Sequence, residues 1–334
     1  MLIGLHDAEL EAKLKSRNKL TRNSIKYSNL AIMKISTYHK QLGDDVVWWQ
    51  PYADLMFDIK YDTVYSSKIF ETTPDNRALP LNVIKGGTGY KIYENLPDSI
   101  EKCFPDYSLY PDYDAAIGFI TRGCPNKCRW CIVPTKEGDI RPNNRWQEII
   151  RKDTPNITLM DNNILACDYG IQQLIELSKT DYRIDINQGL DARLIDPVIA
   201  RILSNVKYIK KMGGKKKNEI IRFSCDSQAQ IPALRRAVNF LVFEGVKRER
   251  IMCYALVTAD IKETAARIEE IKDLGVTSIY AQAEINPAQG IMLTRAMKEF
   301  AERYVKGNLY HNESWEQYCN RKQYDPYCEK LGKS

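Results

Sequence analysis

Three cysteines define the chemistry to look for. Cys124, Cys128 and Cys131 fall within eight residues of the stretch IGFITRGCPNKCRWC that begins at Ile117. Thiolates with three and then two residues between them let one tight loop wrap an iron–sulfur cluster and ligate three of its irons, leaving a fourth iron open. A zinc site or a chance grouping is the competing reading, although zinc motifs favour C-x-x-C pairs with two or more further ligands nearby. The chain holds nine cysteines, an odd number, scattered over 334 residues. With no export signal among them, metal ligation and buried thiols are better readings than a disulfide framework.

The elements around the triplet read as strand and helix in alternation. Apolar runs at residues 115–121, 157–160, 183–187, 220–224, 251–257 and 277–282 start roughly 25 to 40 residues apart, close to the ~30 residues of a strand–helix–strand unit. The fold class expected is α/β, with a six-stranded partial (β/α)6 parallel barrel over residues 114–300. Helical stretches with Ile231, Leu234, Val238, Leu241 and Val242, and with Ile261, Ala265, Ile268, Ile271 and Leu274, follow the fourth and fifth runs and stop at Gly245 and Gly275. Asp260 reads as a cap, with Glu263 reaching back to it. Strands of a parallel barrel direct their C-terminal loops to a common mouth, and chemistry belongs there.

A C-x-x-x-C-x-aromatic-C loop after the first strand of such a barrel, with Trp130 in the aromatic position, resembles the radical S-adenosylmethionine superfamily. The resemblance implies a 4Fe-4S cluster held by Cys124, Cys128 and Cys131. It implies S-adenosyl-L-methionine bound at the open iron and cleaved reductively to methionine and a 5′-deoxyadenosyl radical. An oxygen-sensitive enzyme and an electron donor such as flavodoxin or ferredoxin follow from the same likeness. Trp130 is expected at the cofactor. Other positions carry over only by place. After the second strand the family commonly has a Gly-Gly-Glu-like turn, where this chain has Met160-Asp161-Asn162-Asn163. Asp161 and Asn162 are candidates there by side chain or backbone, or form an ordinary polar strand end. Asn187, Arg193, Ser224 and Asp226 follow the third and fourth strands and are candidates for the cofactor's carboxylate and ribose or for the substrate. Asp191 and Asp226 have helix capping as an alternative role, and Gln282, Glu284 and Asn286 at the sixth strand are placed the same way.

Residues 1–72 read as a small Rossmann-like α/β domain: strands at 1–5, 46–49 and 62–65, a helix at 29–42 closed by Gly43, and the 46–49 run as a buried strand. With the Pro- and Gly-rich connector at 73–113 it resembles the cobalamin-binding domain that precedes the barrel in one branch of the superfamily. The D-x-H-x-x-G signature is missing around His6, His39 and His311, so a cobalamin-free domain is expected. A methylthiotransferase is disfavoured, because only Cys103 precedes the triplet. In the tail at 301–334, Cys319 and Cys328 are one ligand short of an auxiliary cluster and read as thiols, as do Cys103 and Cys253. Lysines over 207–217 read as a basic loop, and residues 13–26 add Lys13, Lys15, Arg17, Lys19, Arg22 and Lys26.

A net charge of +6 and these lysines suit a nucleic-acid substrate, the tail cysteines a peptide or protein if they ligate a cluster, and neither favours a small molecule; the sequence does not decide among the three. No apolar run reaches the ~18 residues needed to cross a bilayer, and the opening five residues are too short for a signal peptide. A cytoplasmic protein is expected. The rival class is a non-catalytic iron–sulfur or zinc protein with a structural or redox-sensing role.

Overall fold

The computed structural model describes residues 1–15, 28–213, 216–285 and 291–326. The chain divides into two compact units, residues 1–117 and 118–334. Both are α/β with parallel sheets, and no helix among the described residues is long and apolar enough to cross a membrane.

In the first unit, β1 (Leu2–Asp7), β2 (Asp45–Trp48), β3 (Thr63–Ser67) and β4 (Ile84–Gly86) form one parallel sheet in the order β2-β1-β3-β4. β1 is central and carries Ile3 and Leu5, both fully buried. The helix Leu30–Gln41 starts where Asn29 accepts the Ile32 N–H and packs Ile32 and Ile35 into the same core. β2 pairs on one side only, so Val47 stays exposed, and the 46–49 run is an edge rather than a buried strand. Residues 73–113 do more than connect: they supply β4 and the core residues Leu96, Ile100 and Leu109.

β5 (Ala116–Gly118) leads into the second unit, where β6 (Thr121–Arg122) pairs antiparallel with β7 (Arg141–Pro142). β8 (Asn156–Leu159) and β9 (Arg183–Ile186) complete a sheet ordered β5-β8-β9. β10 (Leu190–Asp191) precedes a hairpin of β11 (Lys210–Gly213) and β12 (Lys216–Glu219). That hairpin stands where the sequence suggested an irregular basic loop. β13 (Ile221–Ser224), β14 (Ile251–Val257) and β15 (Ser278–Ala283) then join β10 in a second parallel sheet, β10-β13-β14-β15.

All six expected strands therefore form in order, but as two sheets with no ladder between β9 and β13. The ion pair of Asp185 on β9 with Arg222 on β13, both buried, links the two strands at that break. Along β14, Ile251, Cys253, Ala255 and Val257 are buried in strict alternation. The helices Ile231–Phe243 and Ile261–Asp273 cover this sheet and end at Gly245 and Gly275, as expected. Asp260 accepts the Glu263 N–H at 3.0 Å, but the Glu263 carboxylate serves Gln228 and Arg267 instead of reaching back. Beyond residue 300 the chain packs: Phe300, Tyr304, Trp315 and Tyr318 form an aromatic cluster, and the Tyr310 hydroxyl accepts the Ile279 N–H of β15.

Candidate functional site

The cysteine loop is built on a closed base. β6 and β7 pair Thr121 with Pro142 and Arg122 with Arg141, so residues 123–140 leave and return at one point. Arg122 binds the Glu137 carboxylate at 3.1 Å across that base. Gly123 has φ +85° and lies so close to the opposite strand that a Cβ would sit 2.2 Å from the Asp139 carbonyl oxygen, so only glycine fits. The Cys124 N–H then donates to the Gly138 carbonyl, and the Cys131 N–H to the Cys128 carbonyl in a tight turn.

The turn after β8 grips this loop residue by residue. Asp161, fully buried, accepts the backbone N–H of Ile120 at 3.1 Å, the Thr121 hydroxyl at 2.8 Å and the Thr121 N–H. Asn162 accepts the Gly123 N–H at 3.0 Å. Asn163 turns its amide to the Cys124 sulfur, Nδ2 to Sγ 3.6 Å. Asp161 and Asn162 thus fix the backbone from Ile120 to Gly123, and Asn163 reaches the sulfur of the next residue. Burial pushes the Asp161 carboxyl up to about 6 against the pull of these donors. Asp161 and Asn162, expected at the cofactor, are both engaged in holding the loop that bears the cysteines.

The Cys128 and Cys131 thiols are both raised. Burial first, then Cys131 and Cys124, raise the Cys128 thiol, and burial with Cys124 raises Cys131. The Val133 N–H donates to the Cys131 sulfur at 3.4 Å. Asp226, after β13, adds its charge at Cys128 and Cys131, while the guanidinium of Arg193 lowers Cys128. Arg193 is bound by Asp191 through Nε at 2.8 Å and Nη2 at 2.7 Å, and Asp191 also accepts the Asn126 amide of the cysteine loop at 3.1 Å. Burial opposes ionisation of Asp191, yet Arg193 and Asn126 hold its carboxyl below the ordinary range. Among the described residues no three His, Cys, Asp or Glu side chains already converge as a cage for one metal ion. The donor set could nevertheless hold a cluster: three thiols on one braced loop, two of them already receiving N–H donors.

Beside the loop a cavity of about 480 Å³ opens at the C-terminal ends of β13, β14 and β15, lined by Arg129, Trp130, Asp226, Thr258, Asp260 and Glu284 among others. Trp130 and Asp226, both singled out from the sequence, are among the residues lining it. Burial raises the Asp226 carboxyl, while Arg267 and the Leu256 N–H pull it down. Ser224 pairs with Asp191 in the ladder, and Asn187 turns its amide toward the Met160 sulfur and accepts the Tyr254 hydroxyl on its carbonyl. Gln282 is exposed, and Asn286 lies outside the described residues.

Several site residues were not singled out from the sequence. Asn163 was seen only as part of a turn. Arg129, between two of the cysteines, is bound by the buried Glu284 at 3.0 and 3.2 Å. Arg267, fully buried on a helix, donates to the Cys225 and Leu256 carbonyls at 2.7 Å each and so holds the ends of β13 and β14 together. Its neighbours Ile268 and Ile271 mark that helix face as apolar, and this was the one available signal. Of the remaining thiols, burial takes Cys225 up to about 12 and Cys319 to about 11, and Cys253 is fully buried. Cys328 lies outside the described residues. In comparisons with known proteins, no family model matches this chain, and no curated protein matches it significantly.

Proposed function

We propose that this protein is a radical S-adenosylmethionine enzyme in which Cys124, Cys128 and Cys131 would hold three irons of a 4Fe-4S cluster. The observation that carries the reading is the triplet itself, on a loop clamped at the C-terminal ends of parallel strands and flanked by a cavity of about 480 Å³ that Trp130 and Asp226 line. The two parallel sheets, with seven strands in chain order, are read as arcs of one open barrel whose mouth is that cavity. When bound, the cluster would supply one electron to the cofactor's sulfonium and so generate the 5′-deoxyadenosyl radical.

The chain's own residues do the rest. Asp161 and Asn162 keep the loop backbone in place before any iron arrives. Trp130 offers an apolar face and Asp226 a partly buried acceptor to a ligand in the cavity, and Arg193 sets positive charge near Cys124 and Cys128. Asp226, Asp260, Glu263 and Glu284 against Arg129 make the cavity acidic, which favours a neutral or cationic group over a phosphate. Of the two macromolecular substrates, a peptide side chain fits this lining better than a nucleic acid. In the first unit, His6 engages Ser66 at 2.7 Å and Glu11 at 3.1 Å, and His39 engages Asp44 at 2.7 Å and Tyr65 at 3.1 Å. With both ring nitrogens of each committed, the cobalamin-free reading gains support. A cytoplasmic location and an external one-electron donor complete the proposal.

The test is anaerobic loading with iron and sulfide. Wild-type protein should take up about four irons per chain and give an electron paramagnetic resonance signal on reduction that changes when S-adenosylmethionine is added. Cys128→Ala should not. Zinc uptake in place of iron, or a cluster whose signal ignores the cofactor, would refute the reading.

A further inference from the structure

Asn163 is 6% exposed and its amide nitrogen stands 3.6 Å from the Cys124 sulfur, an ordinary hydrogen-bond separation for an acceptor as large as sulfur. The two groups cannot drift apart easily. Asp161 and Asn162, the residues just before it, bind the backbone at Ile120, Thr121 and Gly123, the residues just before Cys124. A sulfur bound to iron has no proton to give, so the amide must present its N–H to it rather than its oxygen.

We propose that Asn163 is a positioning residue that donates a hydrogen bond to the Cys124 sulfur and thereby raises the reduction potential of the cluster. The inference rests on the cluster reading above. Reduction adds one electron, and part of that negative charge resides on the ligand sulfurs. A donor N–H aimed at one of them stabilises the reduced form more than the oxidised form. The electron comes from the external donor and no bond to Asn163 forms or breaks.

The experiment is a mediated redox titration of the reconstituted full-length protein, followed by electron paramagnetic resonance, for wild type, Asn163→Leu and Asn163→Asp. Leucine keeps the volume without a donor, and an ionised aspartate keeps the shape with only acceptors. At a fixed poise the ratio of reduced to oxidised cluster should fall about tenfold in Asn163→Leu, a midpoint lower by about 59 mV for one electron, and should fall further in Asn163→Asp. Resonance Raman gives a second readout: wild-type iron–sulfur stretches should shift in heavy water by an amount that Asn163→Leu reduces. Fully loaded variants with the wild-type midpoint would overturn the proposal. So would failure of both variants to load iron, which would make Asn163 an assembly residue. If wild type itself binds no 4Fe-4S cluster, the underlying reading fails with it, and the iron assay identifies that case.

Discussion

Asp161→Asn separates the two things a buried carboxylate does in this loop. In the folded protein Asp161 titrates at about 6, because burial disfavours its charge, against an ordinary value of 3.8. Between those values the folded state binds the extra proton, so the contribution of this group to stability is complete below pH 3.8 and is lost as pH rises through 6. A gap of about two pH units corresponds to ~3 kcal/mol. Asparagine does not titrate and removes that dependence. It also presents an NH2 where an acceptor stood, so one of the donors from Ile120 or Thr121 goes unmet, at about 1–3 kcal/mol at every pH. Urea unfolding of the iron-free protein should therefore find the variant less stable than wild type near pH 4. The difference should then move by ~3 kcal/mol in the variant's favour by pH 7. Comparing the two proteins at each pH cancels the other titrating groups. Stability curves that run parallel from pH 4 to 7 would refute the argument.

Two further outcomes follow from the same geometry. Gly123→Ala places a Cβ against the Asp139 carbonyl at a positive φ, and should lose about 1–3 kcal/mol together with most of its iron uptake, measured by thermal melting and iron analysis. Arg222→Met alone leaves Asp185 buried without its ion-pair partner and should cost about 3–5 kcal/mol, whereas Arg222→Met with Asp185→Leu should recover most of it in a double-mutant unfolding cycle.

What the sequence made legible was local. The triplet and its aromatic neighbour lie within one short loop, and the spacing of apolar runs anticipated six strands and the helices ending at Gly245 and Gly275. What it hid was contact between distant residues. Asp161 meets Ile120 across 41 positions, and Arg129 meets Glu284 across 155, and no local pattern announces either pair. Arg267 shares a helix face with the apolar Ile271, and its guanidinium is buried there because two strand-end carbonyls and Glu263 satisfy it. The 46–49 run is apolar enough for a core strand, but at the sheet edge none of it is fully buried and Val47 is exposed. The break between β9 and β13 was equally hidden, since Asp185 and Arg222 each sit between apolar neighbours in a strand pattern that says nothing of which partner they meet.

The central claim is that this chain uses its cysteine loop to cleave S-adenosylmethionine. The most direct measurement is 5′-deoxyadenosine formed anaerobically by reconstituted protein with S-adenosylmethionine and dithionite, beside Cys128→Ala treated identically. Formation by the wild type alone is the predicted result. No product from a fully loaded wild type, or equal product from both proteins, would contradict it.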